Sequence, residues 1–164
     1  MTGLPSSGKS TLAHAVRARL LRQGTSHCIL DGDTLRAIIT PTLGYSDEER
    51  AQFYEALARL AATLARQGLV VLVPATAHLK EYRAMARELA PRFLEVWVTT
   101  ALKECQRRDP KGLYAAAVAS PGHLPGIDVR YEPPEHPDVS AKGGEDQFAV
   151  ERILELMRQP VTSP

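Results

Sequence analysis

The chain has 164 residues, a length that fits one domain of ordinary size and leaves little room for a second core. With 44% hydrophobic and 24% charged residues, it can bury enough apolar surface to fold and lacks the composition of a disordered chain. The formal net charge of +1 gives no support to a broadly basic nucleic-acid-binding surface, so we expect a small-molecule partner and no nucleic acid.

The cysteines and the hydropathy pattern indicate where the protein works. Cys28 and Cys105 are far apart and flanked by apolar residues, which favours buried free thiols over a disulfide or a metal site. No run approaches the roughly 20 apolar residues of a membrane span, and no basic region followed by an apolar run opens the chain. We therefore expect a cytoplasmic protein with no membrane partner.

Apolar periodicity in the first part of the chain alternates between the helical and the strand type, which is typical of an α/β layered domain. Apolar residues at four-residue spacing predict a helix over residues 10–23, ended by Gly24. The short apolar run 27–30 predicts a buried strand that delivers Asp31 and Asp33 at its carboxyl end.

The alternation continues through the rest of the chain. Ser46 and Glu49 form a capping-box pattern that begins the longest predicted helix, which ends at Gly68. The run 69–73 is apolar at every position, as expected for a central parallel strand covered on both faces. Five prolines between residues 121 and 137 predict a loop or lid. The remaining predictions are a helix over 80–89, a strand over 93–99, a helix over 102–108 and a last helix over 146–157.

The strongest chemical signal is the pattern G-x-x-x-x-G-K-[ST], which opens the first predicted helix. Gly3 and Gly8 permit the backbone to turn its N–H groups around phosphate oxygens, and the helix N-terminus adds to that field. Lys9 would reach the β- and γ-phosphates, and the Ser10 hydroxyl would ligate Mg²⁺. The sequence therefore predicts that ATP and Mg²⁺ bind at Gly3, Leu4, Pro5, Ser6, Ser7, Gly8, Lys9, Ser10 and Thr11.

Acidic and basic residues follow the second predicted element. A carboxylate near Mg²⁺ can hold a metal-bound water or take the proton of an attacking hydroxyl, which makes Asp31 and Asp33 candidate catalytic residues beside Lys9. Asp-Gly is also a common solvated turn, but the nearby phosphate loop favours the catalytic interpretation. Arg36 and Arg50 could bind an anionic substrate, although an exposed helix position is the commoner place for a single arginine.

The sequence as a whole resembles the adenylylsulfate kinases, which phosphorylate the ribose 3′-hydroxyl of adenylyl sulfate with MgATP in sulfate assimilation. Besides the phosphate loop, the resemblance rests on ordered blocks that cover most of the chain. The blocks at 105–114 (C-Q-R-R-D-P-K-G-L-Y) and 126–135 are far more specific than the phosphate loop. The other blocks are 30–36 (L-D-G-D-T-L-R), 43–46 with Arg50, and 95–98 (E-V-W-V).

The resemblance implies an α/β fold, a P-loop NTPase-type three-layer αβα sandwich with a parallel sheet. Residues 1–164 would form a single kinase domain, with a lid-like segment around residues 111–138. Ser10 and Asp31 would hold the metal, and Lys9, Asp31 and Asp33 would be catalytic. The nucleotide would also meet Arg107, Asp109 and Lys111, and the acceptor would meet Asp33, Arg36, Tyr45, Arg50, Lys111 and Ile127. Because family members are commonly dimers, a homodimer is expected.

The departures from the family pattern fall mostly on the acceptor side. An asparagine of the family is Phe53 here, and the serine sometimes described as a phosphoserine intermediate is Ala77. That route is closed, whereas direct in-line transfer needs no such serine. The stretch 115–125 lacks the phenylalanine and the lysine of the family, and loss of a stacking partner for a base costs about 1–3 kcal/mol.

Three functions therefore stay open. The first is an adenylylsulfate kinase that holds its acceptor with His78, Lys80 or His123. The second is a related P-loop kinase that acts on a different nucleotide or on the hydroxyl of a small metabolite. The third is a non-catalytic nucleotide-binding domain. The chain keeps Lys9, Ser10, Asp31 and Asp33 together, and nucleotide binding alone would not require all four, so these residues argue against the third function.

One further expectation concerns the N-terminus. A phosphate loop connects a buried strand to a helix, whereas only Met1 and Thr2 precede the loop here. We therefore expect the fold to lack its N-terminal strand, and we hypothesise that Met1 is an internal methionine of a longer protein. The missing stretch would contain about 5–8 apolar residues.

Overall fold

The computed structural model describes residues 1–39, 44–119 and 123–159; Leu43 and residues 120–122, which the sequence analysis used, lie outside these ranges. The helices are α1 (Lys9–Arg22), α2 (Gly32–Ile39), α3 (Asp47–Arg66), α4 (Lys80–Leu89), α5 (Leu102–Arg108), α6 (Leu113–Ala119) and α7 (Gln147–Arg158). The strands are β1 (His27–Ile29), β2 (Val70–Leu72), β3 (Val96–Val98) and β4 (Val139–Ala141).

The strands form two parallel pairs. β1 pairs with β2, with His27 opposite Val70, and β3 pairs with β4, with Val96 opposite Val139. Parallel strands need crossover connections, and helices supply them between β1 and β2 and between β2 and β3. The alternation of helices and strands that the sequence predicted is therefore present.

Met1 and Thr2 join the two pairs. The Met1 amino group donates to the Val73 carbonyl at 2.9 Å, and the Thr2 N–H donates to the Val96 carbonyl at 2.8 Å. The order across the molecule is β1, β2, residues 1–2, β3 and β4. A cavity of about 340 Å³ continues the line of these two residues between β2 and β3. The place expected for an N-terminal strand is thus occupied by a two-residue bridge and a cavity.

Helices cover both faces of the strands. On one face, α1 and α7 bury the side chains Leu12, Val16, Leu20, Val150, Ile153 and Leu154 against β2, β3 and β4. On the other face, α3 and α4 bury Phe53, Tyr54, Leu57 and Tyr82. Burial of apolar stripes on both sides of a sheet gives the three-layer arrangement that the resemblance implied.

Three elements, α2, α6 and β4, escaped the sequence prediction. The carboxylate of Asp109 accepts hydrogen bonds from the N–H groups of Leu113, Tyr114 and Ala115 at 2.8–3.1 Å, which begins α6 inside the predicted lid-like segment. β4 has three residues, too few to show a strand period. The predicted strand 93–99 is shorter in the structure, where β3 covers Val96–Val98.

The membrane and thiol predictions can be compared with the described residues. Within them, no helix is both long enough and apolar enough to cross a membrane. Cys28 and Cys105 are free thiols, as predicted, and Cys105 is fully buried while Cys28 is half-buried.

Candidate active site

The phosphate loop has the backbone that an anion-binding loop needs. Gly3, Ser6 and Gly8 have φ values of +150°, +60° and +103°, and such left-handed residues between right-handed ones turn successive N–H groups inward. Gly8 immediately precedes α1. A Cβ atom at Gly8 would lie 2.5 Å from the Gly144 nitrogen, so the close approach of the segment before α7 requires glycine here.

Two side chains from other elements hold the loop in place. The Thr100 hydroxyl, which follows β3, donates to the Ser7 carbonyl at 2.7 Å. The Tyr114 hydroxyl on α6 donates to the Pro5 carbonyl at 2.9 Å. Neither residue was predicted as part of the site, although Tyr114 ends one of the two most specific family blocks.

Lys9 lies inside the loop that it would serve. Its Nζ donates to the Gly3 and Leu4 carbonyls at 2.9 and 2.7 Å. Burial lowers the pKa of Lys9 to about 8, because removing an ammonium group from water penalises the charged form. Phosphate oxygens placed in the loop would compete with these carbonyls for the amine.

Ser10 and Asp31 meet at the mouth of the loop. One carboxylate oxygen of Asp31 accepts from the N–H groups of Asp33 and Thr34, each at 3.2 Å, and so begins α2. The other oxygen accepts from the Ser10 hydroxyl at 3.3 Å. Hydroxyl and carboxylate oxygens are the ligands that Mg²⁺ prefers, so this pair fits the predicted metal site.

Asp33 and Lys111 are brought together although they are far apart in the sequence. The Lys111 ammonium donates to the Asp33 carboxylate, and both side chains are exposed. This hydrogen bond raises the pKa of Lys111. The ion pair links α2 to the beginning of the predicted lid-like segment, beside the phosphate loop.

The predicted acceptor residues form a cluster of cations and aromatic rings. The Arg36 guanidinium lies 4.7 Å from the Tyr45 ring centroid and 4.1 Å from that of Phe53. The Arg50 guanidinium lies 5.1 Å from the Tyr45 centroid. Phe53, which stands where the family has an asparagine, therefore packs against the Arg36 guanidinium. Cation–π contacts of this kind fix the planes of both groups.

An exposed helix position, the commoner place for a single arginine, is the wrong interpretation for Arg50. Its side chain is buried, with 4% of the residue exposed. The guanidinium donates to the Tyr45 carbonyl at 2.8 Å and to the His123 carbonyl at 2.7 Å. Arg50 thus links Tyr45, two residues before α3, to His123 in the segment that follows α6.

The three residues predicted to replace lost acceptor contacts differ in their surroundings. The His123 ring lies 6.5 Å from the Tyr45 ring, at the acceptor cluster. His78 is 1% exposed, and among the described residues its Nδ1 has no hydrogen-bond partner; burial lowers its pKa to about 4. Lys80 forms an exposed ion pair with Glu135. Of the three, His123 is therefore best placed to meet an acceptor.

The residues predicted on the nucleotide side have local partners. The Arg107 guanidinium makes two 2.8 Å hydrogen bonds to Glu104, and Asp109 begins α6. Ile127, which was predicted on the acceptor side, is 48% exposed and lines a cavity of about 500 Å³ together with Leu4. The contacts of these residues with substrates stay predictions.

Parallel strands between helices, a glycine-bounded loop that opens a helix, and a carboxylate after the next strand together define a P-loop nucleotide-binding protein of the α/β class. The comparison with known protein families identifies the family within this class. The model of the adenylylsulphate kinase family matches residues 1–142, and the chain belongs to this family.

Individual relatives agree with this membership. The adenylyl-sulfate kinase of Pseudomonas aeruginosa is 39% identical over 162 residues, which cover 96% of this chain and 83% of that protein. The bifunctional enzyme CysN/CysC of Mycobacterium tuberculosis is 46% identical over 143 residues. These residues cover 84% of this chain but 23% of the bifunctional enzyme, so the chain spans about a quarter of it.

A solved structure gives the same result. The Mycobacterium tuberculosis APS kinase CysC in complex with AMPPNP and APS superposes with a TM-score of 0.88 at 40% sequence identity. The match covers 96% of this chain and 95% of that one. The resemblance stated from the sequence, the P-loop fold class and the prediction of a kinase are therefore confirmed.

Proposed function

We propose that the chain transfers the γ-phosphoryl group of MgATP to the ribose 3′-hydroxyl of adenylyl sulfate, in sulfate assimilation. The observation that carries the proposal is the meeting of Ser10 and Asp31 beside Lys9, at the mouth of a loop with anion-binding backbone geometry. A domain that only bound a nucleotide would not need the carboxylate at this point. Family membership supplies the acceptor class.

The side chains divide the work of an in-line transfer. The acceptor oxygen forms a bond to the γ-phosphorus while the bond from that phosphorus to the bridging oxygen breaks, and ADP leaves. Lys9 offsets charge on the phosphoryl group, and Asp33 accepts the proton of the hydroxyl. Ser10 and Asp31 would hold Mg²⁺, which neutralises charge on the phosphates when bound. Lys111 donates to one oxygen of the Asp33 carboxylate, which leaves the other oxygen to accept the proton.

The cluster on α2 and α3 suits an anionic nucleotide as acceptor. Arg36 offers positive charge beside the exposed ring of Tyr45, whose residue is 50% exposed. A base can stack on an aromatic ring, and an arginine can pair with a phosphosulfate. The His123 ring, whose centroid lies 6.5 Å from that of Tyr45, would make a second contact with the base.

A different acceptor is the second candidate. Phe53 occupies the face of Arg36 that an asparagine of the family would leave open. Such a change alters which acceptor atoms can reach the arginine, and the fold alone does not fix the acceptor. A kinase for another nucleotide or a small metabolite is favoured by this contact.

The test is an assay of ADP release from MgATP with adenylyl sulfate and with a panel of other nucleotides and small alcohols. We expect turnover with adenylyl sulfate, and its loss in Lys9→Ala and Asp31→Ala but not in Glu88→Ala, an exposed carboxylate on α4. Turnover only with another acceptor favours the second candidate. Nucleotide binding without turnover on any acceptor would contradict the proposal and favour a non-catalytic nucleotide-binding domain.

Three broader features belong to the same proposal. We infer that residues 111–138 close over the substrates, because α6 in this segment already contacts the phosphate loop through Tyr114. Exclusion of water from a kinase site prevents transfer to water. The single kinase domain over residues 1–164, the homodimer and the cytoplasmic location stay expectations from the sequence and the resemblance.

A further inference from the structure

The turn that follows β2, residues 76–78, contains a strained residue and is called the β2 turn below. Ala77 has a φ value of +41°, in the left-handed region where a Cβ atom comes too close to the following carbonyl oxygen. Glycine enters this region without that cost. A residue with a side chain stays there only where its surroundings hold it, so the contacts of Ala77 show what fixes the turn.

Side chains from two helices bind the backbone of Ala77. Its N–H donates to the Tyr54 hydroxyl on α3 at 2.9 Å. Its carbonyl accepts from the Arg83 guanidinium on α4 at 2.6 Å. Tyr54 and Arg83 are both buried, and a hydrogen bond shielded from water is stronger than an exposed one. The left-handed conformation of Ala77 is therefore held from outside the turn.

The Tyr54 ring is itself fixed by neighbouring rings. It stacks on the Tyr82 ring, with the centroids 4.5 Å apart and the planes at 25°. The Phe53 ring meets it edge-on, with the centroids 5.5 Å apart. Such contacts restrict the orientation of a ring, so the Tyr54 hydroxyl has a defined position. Phe53 also packs against Arg36, which ties this hydroxyl to the acceptor cluster.

The β2 turn lies next to both the phosphate loop and the candidate catalytic carboxylates. The Thr2 hydroxyl, one residue before the loop, donates to the Thr76 carbonyl at 2.6 Å. Gly32, between the two carboxylates, lies against Ala75, because a Cβ atom on Gly32 would be 4.0 Å from that of Ala75. Ligands of α/β proteins bind at this edge, where parallel strands end. A shift of the β2 turn would therefore move the floor of the site.

The β2 turn also carries one end of the predicted lid. The Glu132 N–H donates to the His78 carbonyl at 2.8 Å. The Glu132 carboxylate accepts from the Lys80 N–H, at the beginning of α4, at 2.9 Å. The conformation of Ala77 thus sets the position of the floor and of the lid segment together.

We propose that Tyr54 is a positioning residue for the acceptor, because its hydroxyl holds Ala77 in the left-handed conformation and keeps the β2 turn in place. The inference rests on the proposed function. Tyr54 acts through Ala77 rather than through a contact with the reacting groups. Loss of its hydroxyl should weaken acceptor binding and leave the ATP site intact, since Thr100 and Tyr114 hold the phosphate loop independently.

The test compares Tyr54→Phe with Tyr82→Phe, each of which removes one hydroxyl from the stacked pair of rings. We expect Tyr54→Phe to raise KM for adenylyl sulfate about five- to tenfold, the effect of one lost hydrogen bond, and to leave kcat and KM for ATP within about twofold. Amide hydrogen exchange at Ala77 should become at least about tenfold faster. Tyr82→Phe should change neither quantity.

A second substitution tests whether the hydroxyl acts through the backbone conformation. Ala77→Gly removes the strain, because glycine adopts a positive φ freely. In the Ala77→Gly background, Tyr54→Phe should therefore raise KM for adenylyl sulfate about twofold at most. This rescue is not expected if Tyr54 merely fills space in the core, since the phenylalanine ring fills the same space in both backgrounds.

Four results would overturn the inference. They are equal KM values for Tyr54→Phe and Tyr82→Phe, an equal rise in KM for ATP, the same rise in KM with and without Ala77→Gly, and unchanged exchange at Ala77 in Tyr54→Phe. Absence of turnover in the parent chain would contradict the proposed function instead. The exchange rates at Ala77 would then decide by themselves whether Tyr54 holds the turn.

Discussion

At the scale of single residues, burial sets the charge of two groups near the site. The ammonium of Lys9 and the imidazole of His78 both have lowered pKa values, about 8 and about 4, because the surrounding protein replaces water. For Lys9 the charged form is the useful one, since it attracts phosphate. For His78 the neutral form is the stable one, because burial penalises the charged ring.

The affinity for ATP should fall as pH rises through about 8, because Lys9 then loses its charge in the free protein. Calorimetric titration of ATP between pH 7 and 9.5 measures this. In Lys9→Arg the guanidinium stays charged over the whole range, so whatever affinity remains should be independent of pH. The same decline in both proteins would assign it to another group.

The free energy of unfolding should fall on acidification from pH 6.5 toward 4. The pKa of His78 is lower in the folded chain than in the unfolded chain, so the unfolded chain binds a proton first and stability is lost as pH falls. The difference is at most about 3 kcal/mol. Urea unfolding of His78→Gln should lack this part of the pH dependence, whereas His14→Gln, at an exposed position on α1, should keep it. Identical pH profiles for His78→Gln and the parent chain would contradict the assignment.

At the scale of elements, one buried arginine ties helix α4 to its neighbours. Arg83 is 6% exposed and donates to the Glu95 carboxylate just before β3 at 2.7 Å. It also donates to the carbonyls of Ala77, after β2, and Glu132, in the predicted lid, at 2.6 and 2.7 Å. One side chain therefore links α4 to the residue before β3, to the segment after β2 and to the predicted lid.

Arg83→Met should lower the free energy of unfolding by about 3–5 kcal/mol, because the mostly buried Glu95 carboxylate loses its principal partner and two carbonyls lose donors. Adding Glu95→Gln should recover part of this loss. Arg87→Met, which removes the exposed second partner of Glu95, should cost about 1 kcal/mol or less. Urea unfolding measures all three, and equal losses for Arg83→Met and Arg87→Met would show that burial does not set the cost.

At the scale of the whole molecule, two pairs of strands are joined through Met1 and Thr2. The side chain of Thr2 adds to its backbone contacts, because its hydroxyl donates to the Thr76 carbonyl at 2.6 Å and lies 3.1 Å from the Tyr131 hydroxyl. The bridge therefore couples β2, β3 and the segment that follows α6, and we expect the two halves of the sheet to unfold together because of it.

Thr2→Pro should therefore lower the cooperativity of unfolding as well as stability. It removes the hydrogen bond to Val96 in addition to the hydroxyl contacts, whereas the isosteric Thr2→Val removes only the latter. We expect Thr2→Pro to cost at least about 1 kcal/mol more than Thr2→Val. Fluorescence of Trp97 on β3 and far-ultraviolet circular dichroism should then give different urea midpoints. Coincident transitions in Thr2→Pro would show that the halves are coupled elsewhere.

The sequence predicted the parts of this molecule that depend on local pattern. The phosphate loop, the capping box at Ser46 and the all-apolar run of β2 each carry a signal within a few neighbouring residues, and each is present. Strand bounds and the short elements α6 and β4 depend on contacts between distant segments. The carboxylate of Asp109 begins α6, and the alanine-rich run of this helix has no apolar periodicity that would predict it.

The same distinction applies to the site. Charged residues were identified by type and position, but their partners were not, because the pairing of Lys111 with Asp33 and of Arg50 with His123 spans long stretches of chain. Thr100 and Tyr114 hold the phosphate loop through single hydrogen bonds that only the folded chain brings together. The substrate roles of the site residues stay predictions.

The burial of Arg50 has a consequence for how acceptor-site variants are interpreted. This guanidinium is predicted to meet the acceptor, yet it already secures the backbone at Tyr45 and His123. A lower reaction rate in an Arg50 variant would therefore have two causes that the rate alone does not separate. One is weaker acceptor binding, and the other is displacement of Tyr45 and of the lid segment at His123. Arg36, which within the described part of the chain donates one hydrogen bond, to the Gly44 carbonyl, gives the cleaner measure of charge recognition. Kinetic comparisons of Arg36 and Arg50 variants therefore need the thermal stability of each variant to be measured together with its reaction rate.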